Sequence, residues 1–499
     1  MMRHKNFAIT DAAGWFQIPV ALLLAGSAVE LAIQVIAPAP VSFAGLMFDR
    51  FGSAMGFLVA LVGLVCLRYS DRHLDGHPEK GRFIRLMSCA IISAYLMVCS
   101  TWLPLLFLAW LATSLCLHGL LTFRKDRPEA LPPARKKFLI SRLGDLALLA
   151  AIWLIWRGYG TLDLVEFRDI LALVGPSADV GLVAMLVVAA ALAKSAQFPF
   201  HTWLPETMEA PTPVSALMHA GIINAGGVLL WRFAPALMLA PSAMLVLSAI
   251  GTLTFLIGTL SMWAQPKVKR QLAWSTVAQM GFMMVQCGLG VFHAAVLHML
   301  GHGCYKAYRF LSAGELGSPV ESRPAAPAAE LSAWLIGSAA SFPALAAACW
   351  WAGCSPWESA GELAMCWVAA LALGQYWVAS AVRSTGSRLA RGAWCLMGTL
   401  AASVLAATLY GAAKFLWNPL PEGYPHPGGT AATLAAVIPV AALALLTVIH
   451  ALMPMSGGSS AATALRVHAL NGFYLGTIAD MWVARVWSAS ARERGNVHA

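Results

Sequence analysis

Residues 179–221 read DVGLVAMLVVAAALAKSAQFPFHTWLPETMEAPTPVSALMHAG and decide the fold of the chain. The apolar run ends directly at Lys194, and a lysine near the centre of a membrane costs roughly 2.5–3.5 kcal/mol. Pro199 follows closely and predicts that the helix is interrupted there. A charge beside a helix break at membrane depth is typical of an ion or proton pathway.

The composition is typical of a chain that is embedded in a membrane. Of the 499 residues, 59% are hydrophobic and 11% are charged, whereas soluble domains carry about 25% charge. The mean hydropathy is +0.70, and the apolar character extends along the whole chain. We therefore predict an all-α polytopic membrane protein.

Apolar segments close to 20 residues in length predict about fourteen spans, some of them broken and arranged in inverted repeats. They lie near residues 15–38, 45–69, 86–103, 105–123, 138–157, 180–209, 211–236, 241–263, 271–291, 293–313, 331–352, 363–382, 392–416 and 431–453.

The charged loops predict the orientation. The basic loops 72–85, 124–137, 267–270 and 383–391 all lie on one side, and the acidic loop 158–179 lies on the other. By the positive-inside rule, the amino and carboxyl termini are both cytoplasmic, and we predict a bacterial inner membrane. The net charge of +10 is explained in the same way and does not indicate nucleic-acid binding.

Two domains are expected, a transmembrane domain over residues 1–455 and a carboxyl-terminal tail over residues 456–499. The tail begins with the linker SGGSS and continues as a helix that mixes Trp, Leu and Arg. That pattern is typical of an amphipathic helix at the membrane surface, and the alternative is a docking helix for a partner subunit.

The ten cysteines include no CxxC pair, so neither a zinc ribbon nor an iron–sulfur site is indicated. We expect buried, unreactive thiols, no cofactor and no catalytic residue in this chain.

Five ionisable residues stand inside the predicted spans and are candidates for a proton or cation pathway: Lys194, His219, His298, His302 and Lys306. The last three are four residues apart in HMLGHGCYK, a spacing that places them on one face of a helix. Two imidazoles and an amine in such a column are able to pass a proton through intervening water.

Other interpretations of these residues remain open. The alternative for His219 is a buried, hydrogen-bonded core histidine, and the alternative for Lys194 is an amine that reaches the membrane surface. His298 and His302 have the spacing of a helical metal site, but no carboxylate or cysteine accompanies them, and Lys306 would repel a cation. We therefore predict no metal.

Prolines mark the helix break. Pro199 interrupts one helix, while Pro211 and Pro213 begin the next, with Thr212 as its predicted N-cap. Backbone groups freed at such a break bind water or ions.

Charges near the membrane faces have simpler explanations. Arg142 and Asp145 are spaced to form a pair on one helix. No role is predicted for Asp49 or Glu30.

The stretch KSAQFPFHTWLPETMEAPTPVSALMHAGIINAGG resembles the core signature of the proton-conducting membrane transporter family, which includes the antiporter-like subunits of respiratory complex I. KVKRQLAWSTVAQMGFM and HAAVLHMLGHGCYKAYRFLSAGE resemble its second signature. The resemblance covers most of residues 40–315. It implies that the five ionisable residues above lie at the family's proton-pathway positions.

Two departures from the family pattern change the expectation. Complex I members carry a glutamate after the tryptophan of FLAWLATSLCLHGLL, and this chain has Leu111 there. They also carry a lysine on a later broken helix, where this chain offers only Gln375, with Lys414 one span later.

RYSDRHLDGHPEKGRF and ARKKFLISRLGD resemble instead the membrane subunits of two-component inorganic carbon systems. That resemblance implies a large zinc-binding partner related to β-carbonic anhydrases. The alternatives are a Na⁺/H⁺ antiporter subunit and, less favoured because of Leu111, a quinone-linked respiratory subunit.

Overall fold

The computed structural model describes residues 15–36, 39–124, 127–174, 179–313, 327–383, 387–420, 424–452 and 459–495 of the chain. Helices dominate these residues, and a single two-stranded hairpin accompanies them.

The amino-terminal half contains the helices α1 to α11 and both strands. In chain order they are α1 (Ile18–Ile36), β1 (Val41–Phe43), β2 (Leu46–Phe48), α2 (Arg50–His73), α3 (Lys80–Cys99), α4 (Leu103–Leu121), α5 (Leu131–Tyr159), α6 (Leu164–Val174), α7 (Val180–Lys194), α8 (Trp203–Glu206), α9 (Thr212–Ala220), α10 (Ala225–Arg232) and α11 (Ala234–Met238).

The carboxyl-terminal half is helical throughout its described parts. Its elements are α12 (Pro241–Ala264), α13 (Val268–Gly288), α14 (Phe292–Leu311), α15 (Pro327–Trp351), α16 (Ala360–Arg383), α17 (Arg388–Trp417), α18 (Gly429–Leu452), α19 (Ser460–Leu470) and α20 (Leu475–Gly495).

Eleven of the described helical segments are long and apolar enough to cross a membrane. The predicted all-α membrane fold is therefore confirmed. Three of the fourteen predicted spans lie outside those eleven segments, because α7 has only 15 residues and because α13 and α14 carry charged and polar side chains along their lengths. The count of about fourteen stays a prediction.

The hairpin of β1 and β2 lies between α1 and α2 and turns at Ala44 and Gly45. Both residues have positive φ, 49° and 75°, which suits the two-residue turns of twisted hairpins. A Cβ on Gly45 would lie 2.7 Å from Trp102 Cβ, so glycine also allows the start of α4 to approach the turn.

Helices α12 and α13 pack with their backbones in contact. A Cβ added to Gly281 would lie 2.6 Å from the main-chain nitrogen of Phe255, and one on Gly258 would lie 2.6 Å from that of Ala278. Small residues allow transmembrane helices to approach this closely. Such close packing stabilises their association, since the hydrophobic effect does not act between helices in lipid. Helix α13 in turn packs against α14, the helix that carries His298, His302 and Lys306.

A buried ion pair joins the beginning of α2 to the end of α10. Arg232 is fully buried, and its guanidinium Nη1 lies 2.7 Å from Asp49 Oδ2. The Asp49 Oδ1 also accepts a hydrogen bond from the Gly52 N–H, at 2.6 Å, and caps α2. Asp49, for which the sequence predicted no role, thus anchors the helix that follows the break.

The tail differs from its prediction. Instead of one helix, residues 460–495 form α19 and α20, joined by the turn Gly472–Tyr474 with positive φ at all three residues. Asp480 of α20 pairs with the buried Lys136 ammonium at 2.7 Å, which fastens the tail to α5.

The cysteine prediction is confirmed in part. The ten thiols are free, and Cys66, Cys99, Cys366 and Cys395 are buried. Cys89 is exposed instead, because it lies on the face of α3 that points away from the bundle.

The Asp49–Arg232 pair makes a stability prediction. Replacing Arg232 by leucine leaves the Asp49 carboxylate without its charge partner, which costs about 3–5 kcal/mol in comparable buried pairs. We expect a lower thermal unfolding temperature of the detergent-purified protein. The control is Arg82→Ala in the exposed Arg82–Glu79 pair, which should cost under about 1 kcal/mol. Equal unfolding temperatures for the two variants would contradict the anchoring role.

Candidate functional site

The helix break begins at the lysine itself. Helix α7 ends at Lys194, and regular helix resumes only at Trp203. Ala196 takes φ 50°, a left-handed conformation that ends the helix. The break therefore begins before Pro199, the residue at which it was predicted, and Pro199 lies within it.

The next helix starts one residue earlier than predicted. Pro211 occupies the N-cap position of α9, and Thr212 is its first helical residue. Thr212 is thus not the N-cap, and its hydroxyl accepts a hydrogen bond from Lys269 Nζ at 3.2 Å. Pro213 lies in the first turn, as predicted, where its missing N–H costs nothing.

Polar side chains satisfy much of the broken backbone. Ser195 Oγ donates to the Ile223 carbonyl at 2.7 Å, and the Phe198 N–H donates to Thr254 Oγ1 at 3.0 Å. His201 is fully buried in the same break, and neither of its ring nitrogens has a hydrogen-bond partner among the described residues. His201 was not among the predicted residues, although its place between Pro199 and Pro211 was a signal.

Lys194 is buried and does not reach the membrane surface. Its Nζ donates to the main-chain carbonyl of Trp110 at 2.9 Å and lies 4.2 Å from the centroid of the Trp110 indole. A carbonyl oxygen and a ring face supply only partial negative charge. The ammonium is therefore held without a carboxylate in direct contact.

Asp145 supplies the nearby carboxylate. It accepts a hydrogen bond from Trp110 Nε1 at 2.8 Å, so the indole stands between the acid and Lys194. Arg142 Nη2 lies 2.8 Å from Asp145 Oδ2, which confirms the predicted pair. Leu111, where the resemblance implied a glutamate, carries no charge, and the carboxylate bonded to the Trp110 indole belongs to the neighbouring helix α5.

Two further buried lysines were not predicted. Lys136 and Lys137 were assigned to a cytoplasmic loop, but both lie inside α5 and are 0% and 3% exposed. Lys137 Nζ donates to the main-chain carbonyl and to the hydroxyl of Ser114, at 2.7 and 2.9 Å. A charged run at a helix start gave no signal that two of its members are buried.

The column on α14 follows the predicted spacing. His298 Nδ1 lies 2.9 Å from Gln286 Oε1, and the His298 and His302 rings are 6.0 Å apart between centroids. Lys306 is fully buried, and its Nζ donates to the Leu272 carbonyl at 2.8 Å. Like Lys194, Lys306 is bound to a main-chain oxygen.

His219 joins this column. Helix α9 packs closely on α14, where a Cβ on Gly303 would lie 2.8 Å from the Ala220 carbonyl oxygen. The fully buried His219 ring stacks on Phe310 at 4.5 Å, and its nitrogens have no hydrogen-bond partner among the described residues. No described protein group therefore supplies the hydrogen bond that the core-histidine interpretation requires.

The five predicted residues thus fall into two groups. Lys194 lies with Trp110 and Asp145, whereas His219 lies with the α14 column. Within the part of the chain that the structure describes, no group of three or more His, Cys, Asp or Glu side chains is placed to hold a metal ion.

The later polar candidates also have partners. Gln375 Nε2 lies 3.5 Å from Thr447 Oγ1, at the outer limit of a hydrogen bond. Lys414 pairs with two glutamates. Glu358 lies just before α16, and Glu362 lies in the first turn of that helix.

The chain is similar to known membrane subunits, over about half of its length in sequence and over 99% of it in structure. The family model described as NADH:quinone oxidoreductase/Mrp antiporter, transmembrane, matches residues 100–348. The probable inorganic carbon transporter subunit DabB2 of Halothiobacillus neapolitanus is 47% identical over 263 residues, 52% of this chain and 47% of that protein. The corresponding DabB of Hydrogenovibrio crunogenus is 42% identical over 267 residues, 53% of this chain and 51% of that protein.

The matched region spans about half the length of these curated relatives. Among solved structures, the Mrp complex from Dietzia sp. DQ12-45-1b contains a chain with a TM-score of 0.55 and 25% identity, covering 99% of this chain and 58% of that one. Residues 100–348 of the chain match the model of the NADH:quinone oxidoreductase/Mrp antiporter family of membrane subunits, and the chain is similar to the DabB inorganic carbon transporter subunits.

Proposed function

We propose that the chain is the membrane subunit of an energy-coupled complex that accumulates CO₂ or bicarbonate. It conducts protons or sodium and drives unidirectional CO₂ hydration by a DabA-type partner, a zinc-binding protein related to β-carbonic anhydrases. The chemistry takes place on the partner, and this chain acts as a cation-translocating transporter subunit in the bacterial inner membrane.

The observation that carries this proposal is the way in which Lys194 and Lys306 are buried. Each ammonium is bound to one main-chain carbonyl, a neutral acceptor that stabilises the positive charge less than a carboxylate does. Burial opposes the charged form of an amine. Each lysine is therefore suited to release a proton and take it up again.

The α14 column provides a route for such a proton. A proton released by Lys306 meets His302 one turn away and His298 one turn further, and an imidazole is able to take up a proton at one ring nitrogen and release one from the other. The two histidine rings are 6.0 Å apart between centroids, and in this proposal the proton passes between them through an intervening water. His219 faces the same column from α9.

The similarity to DabB subunits supports inorganic carbon as the cargo of the complex. The likeness of the fold to a chain of an Mrp complex favours a second candidate, a Na⁺/H⁺ antiporter subunit. The chain that co-purifies with this one separates them, because a large zinc protein indicates the first function and several small hydrophobic subunits indicate the second.

The first functional prediction concerns Lys194. Lys194→Ala removes the buried amine without adding bulk, and we expect accumulation of bicarbonate by cells expressing the complex to fall to background. The amount of assembled complex should not change. Lys267→Ala, an exposed lysine, serves as the matched control and should transport normally. Normal growth of the Lys194→Ala strain in air would refute the coupling role.

The second prediction concerns Asp145. Asp145→Asn keeps an oxygen that accepts the Trp110 indole N–H but removes the negative charge near Lys194. We expect bicarbonate accumulation between that of the wild type and that of Lys194→Ala. The exposed Asp75→Asn is the control. Wild-type accumulation by Asp145→Asn would show that Lys194 works without this carboxylate.

The third prediction concerns metal. The chain purified without its partner should contain no stoichiometric zinc when measured by inductively coupled plasma mass spectrometry. Bound zinc that disappears in His298→Ala would show that the column is a metal site instead of a proton route.

A further inference from the structure

Two cysteines lie at the end of α15 in a well-defined helix cap. The Cys354 N–H donates to the Cys349 carbonyl at 2.8 Å, and the Gly353 N–H donates to the Trp350 carbonyl at 3.1 Å. Gly353 has φ 76°, the left-handed conformation that glycine favours. The two hydrogen bonds and the glycine form a Schellman motif, in which side chains at the positions of Cys349 and Cys354 commonly contact each other.

This cap limits the distance between the two cysteines. The Cys349 carbonyl oxygen lies about 2.4 Å from its own Cα, and the Cys354 nitrogen lies about 1.5 Å from its own Cα. With the 2.8 Å hydrogen bond between them, the two Cα atoms are at most about 6.7 Å apart. Disulfide-bonded cysteines have Cα atoms about 4.4–6.8 Å apart. The backbone therefore already holds this pair within the range of a disulfide.

The surroundings of the two side chains leave room for the bond. Cys349 and Cys354 line the same small cavity between α15, α16 and α17, and both thiols are free in this structure. A Cβ added to Gly411 of α17 would lie 3.3 Å from Cys354 Sγ, so glycine makes space for this sulfur. Cys354 Sγ also lies 3.9 Å from the Ala352 carbonyl oxygen, a long contact for a weak donor.

The cap lies at the membrane face opposite the Lys267 turn. Helix α13 runs 21 residues away from that turn, and its far end touches the beginning of α16, where a Cβ on Gly361 would overlap the Leu289 carbonyl oxygen. Tryptophan side chains are enriched at membrane–water interfaces. Three exposed tryptophans flank the cap: Trp350, Trp351 and Trp357.

The compartment at this face decides the state of the thiols. The positive-inside rule predicts that the Lys267 turn is cytoplasmic, so the cap of α15 is predicted to face the outside of the inner membrane. Disulfides form and persist in the bacterial periplasm, whereas cytoplasmic thiols are kept reduced. The same pair at the other face would stay as two thiols.

We propose that Cys349 and Cys354 form a disulfide that closes the cap of α15 covalently at the outer membrane face. The oxidant is a disulfide of that compartment. The Cys349 thiolate attacks one of its sulfur atoms, and the other sulfur leaves as a thiolate. Cys354 then attacks the Cys349 sulfur and releases the second thiolate. The two cysteines lose two protons and two electrons, and the oxidant becomes two thiols.

The bond acts on the turn between α15 and α16. Glu358, four residues after Cys354, pairs with Lys414 of α17. A covalent cap fixes the point at which the chain leaves α15, and with it the path of the turn that reaches Lys414. The disulfide thus stabilises the packing of α15 and α17 in the region after residue 330, and it does not depend on the proposed function.

The competing explanation is that both cysteines serve only as small apolar side chains in the contact that this cap commonly contains. The two explanations share one backbone, so the test examines the sulfur atoms. Cleavage after glutamate releases residues 331–358, a peptide that contains Cys349 and Cys354 but not Cys366, the third cysteine at the cavity.

Membranes from cells that express the full chain are denatured with N-ethylmaleimide, which labels free thiols, and the 331–358 peptide is analysed by mass spectrometry. We expect it to be two hydrogen atoms lighter than the reduced peptide and unlabelled, and to take up two labels after reduction. Labelling of both cysteines without reduction would overturn the proposal. A bond from either cysteine to Cys366 would overturn this pairing.

Two variants serve as controls. Cys354→Ser should leave Cys349 open to labelling without reduction, whereas Cys366→Ser, which changes the other thiol at the same cavity, should keep the bond. Reduction should also lower the thermal unfolding temperature of the detergent-purified wild type, because the cross-link no longer restricts the unfolded chain, and should not change that of Cys354→Ser. A wild-type unfolding temperature that does not respond to reduction would contradict the stabilising role.

Discussion

The burial of lysine ammonium groups against main-chain carbonyls is the interaction on which the rest of this structure depends. Lys137, Lys194 and Lys306 each donate to a carbonyl oxygen of a neighbouring helix, at 2.7 to 2.9 Å. A carboxylate in the same place would strongly stabilise the charged form of the lysine and oppose the loss of its proton. A carbonyl satisfies the donor but leaves the charge only partly compensated, so the surrounding helices must be positioned precisely.

That positioning comes from breaks and close approaches in the backbone. The left-handed Ala196 ends α7 at Lys194, which places this lysine at a helix end among non-helical residues. Gly303 allows α9 to approach α14, and this brings His219 against the column. The Asp49–Arg232 pair joins the carboxyl-terminal end of α10 to the beginning of α2. Irregular backbone is tolerated at this depth because the protein surrounds it and hydrogen-bonds many of its groups.

In the described part of the chain, Lys137, Lys194 and Lys306 donate to neutral oxygen atoms and not to carboxylates. Asp145 bonds to the Trp110 indole, whose ring lies against Lys194, and has Arg142 as its direct partner. Glu362 stands beside a cavity and shares Lys414 with Glu358. Direct ion pairs occur both at the partly exposed Lys414 and at the fully buried Lys136 and Arg232.

The sequence by itself determined that this is a membrane protein, because an apolar composition along the whole chain indicates a lipid environment. It also determined the α14 column, because residues four apart lie on the same face of any α-helix. It also identified Lys194, because a charge in an apolar run is visible locally. Only the tertiary structure decided that Asp145 bonds to the Trp110 indole beside Lys194, that Lys136 and Lys137 are buried, and that His219 stacks on Phe310 of α14. Each of these depends on which helices pack together, and a periodic pattern along one helix carries no information about its neighbours.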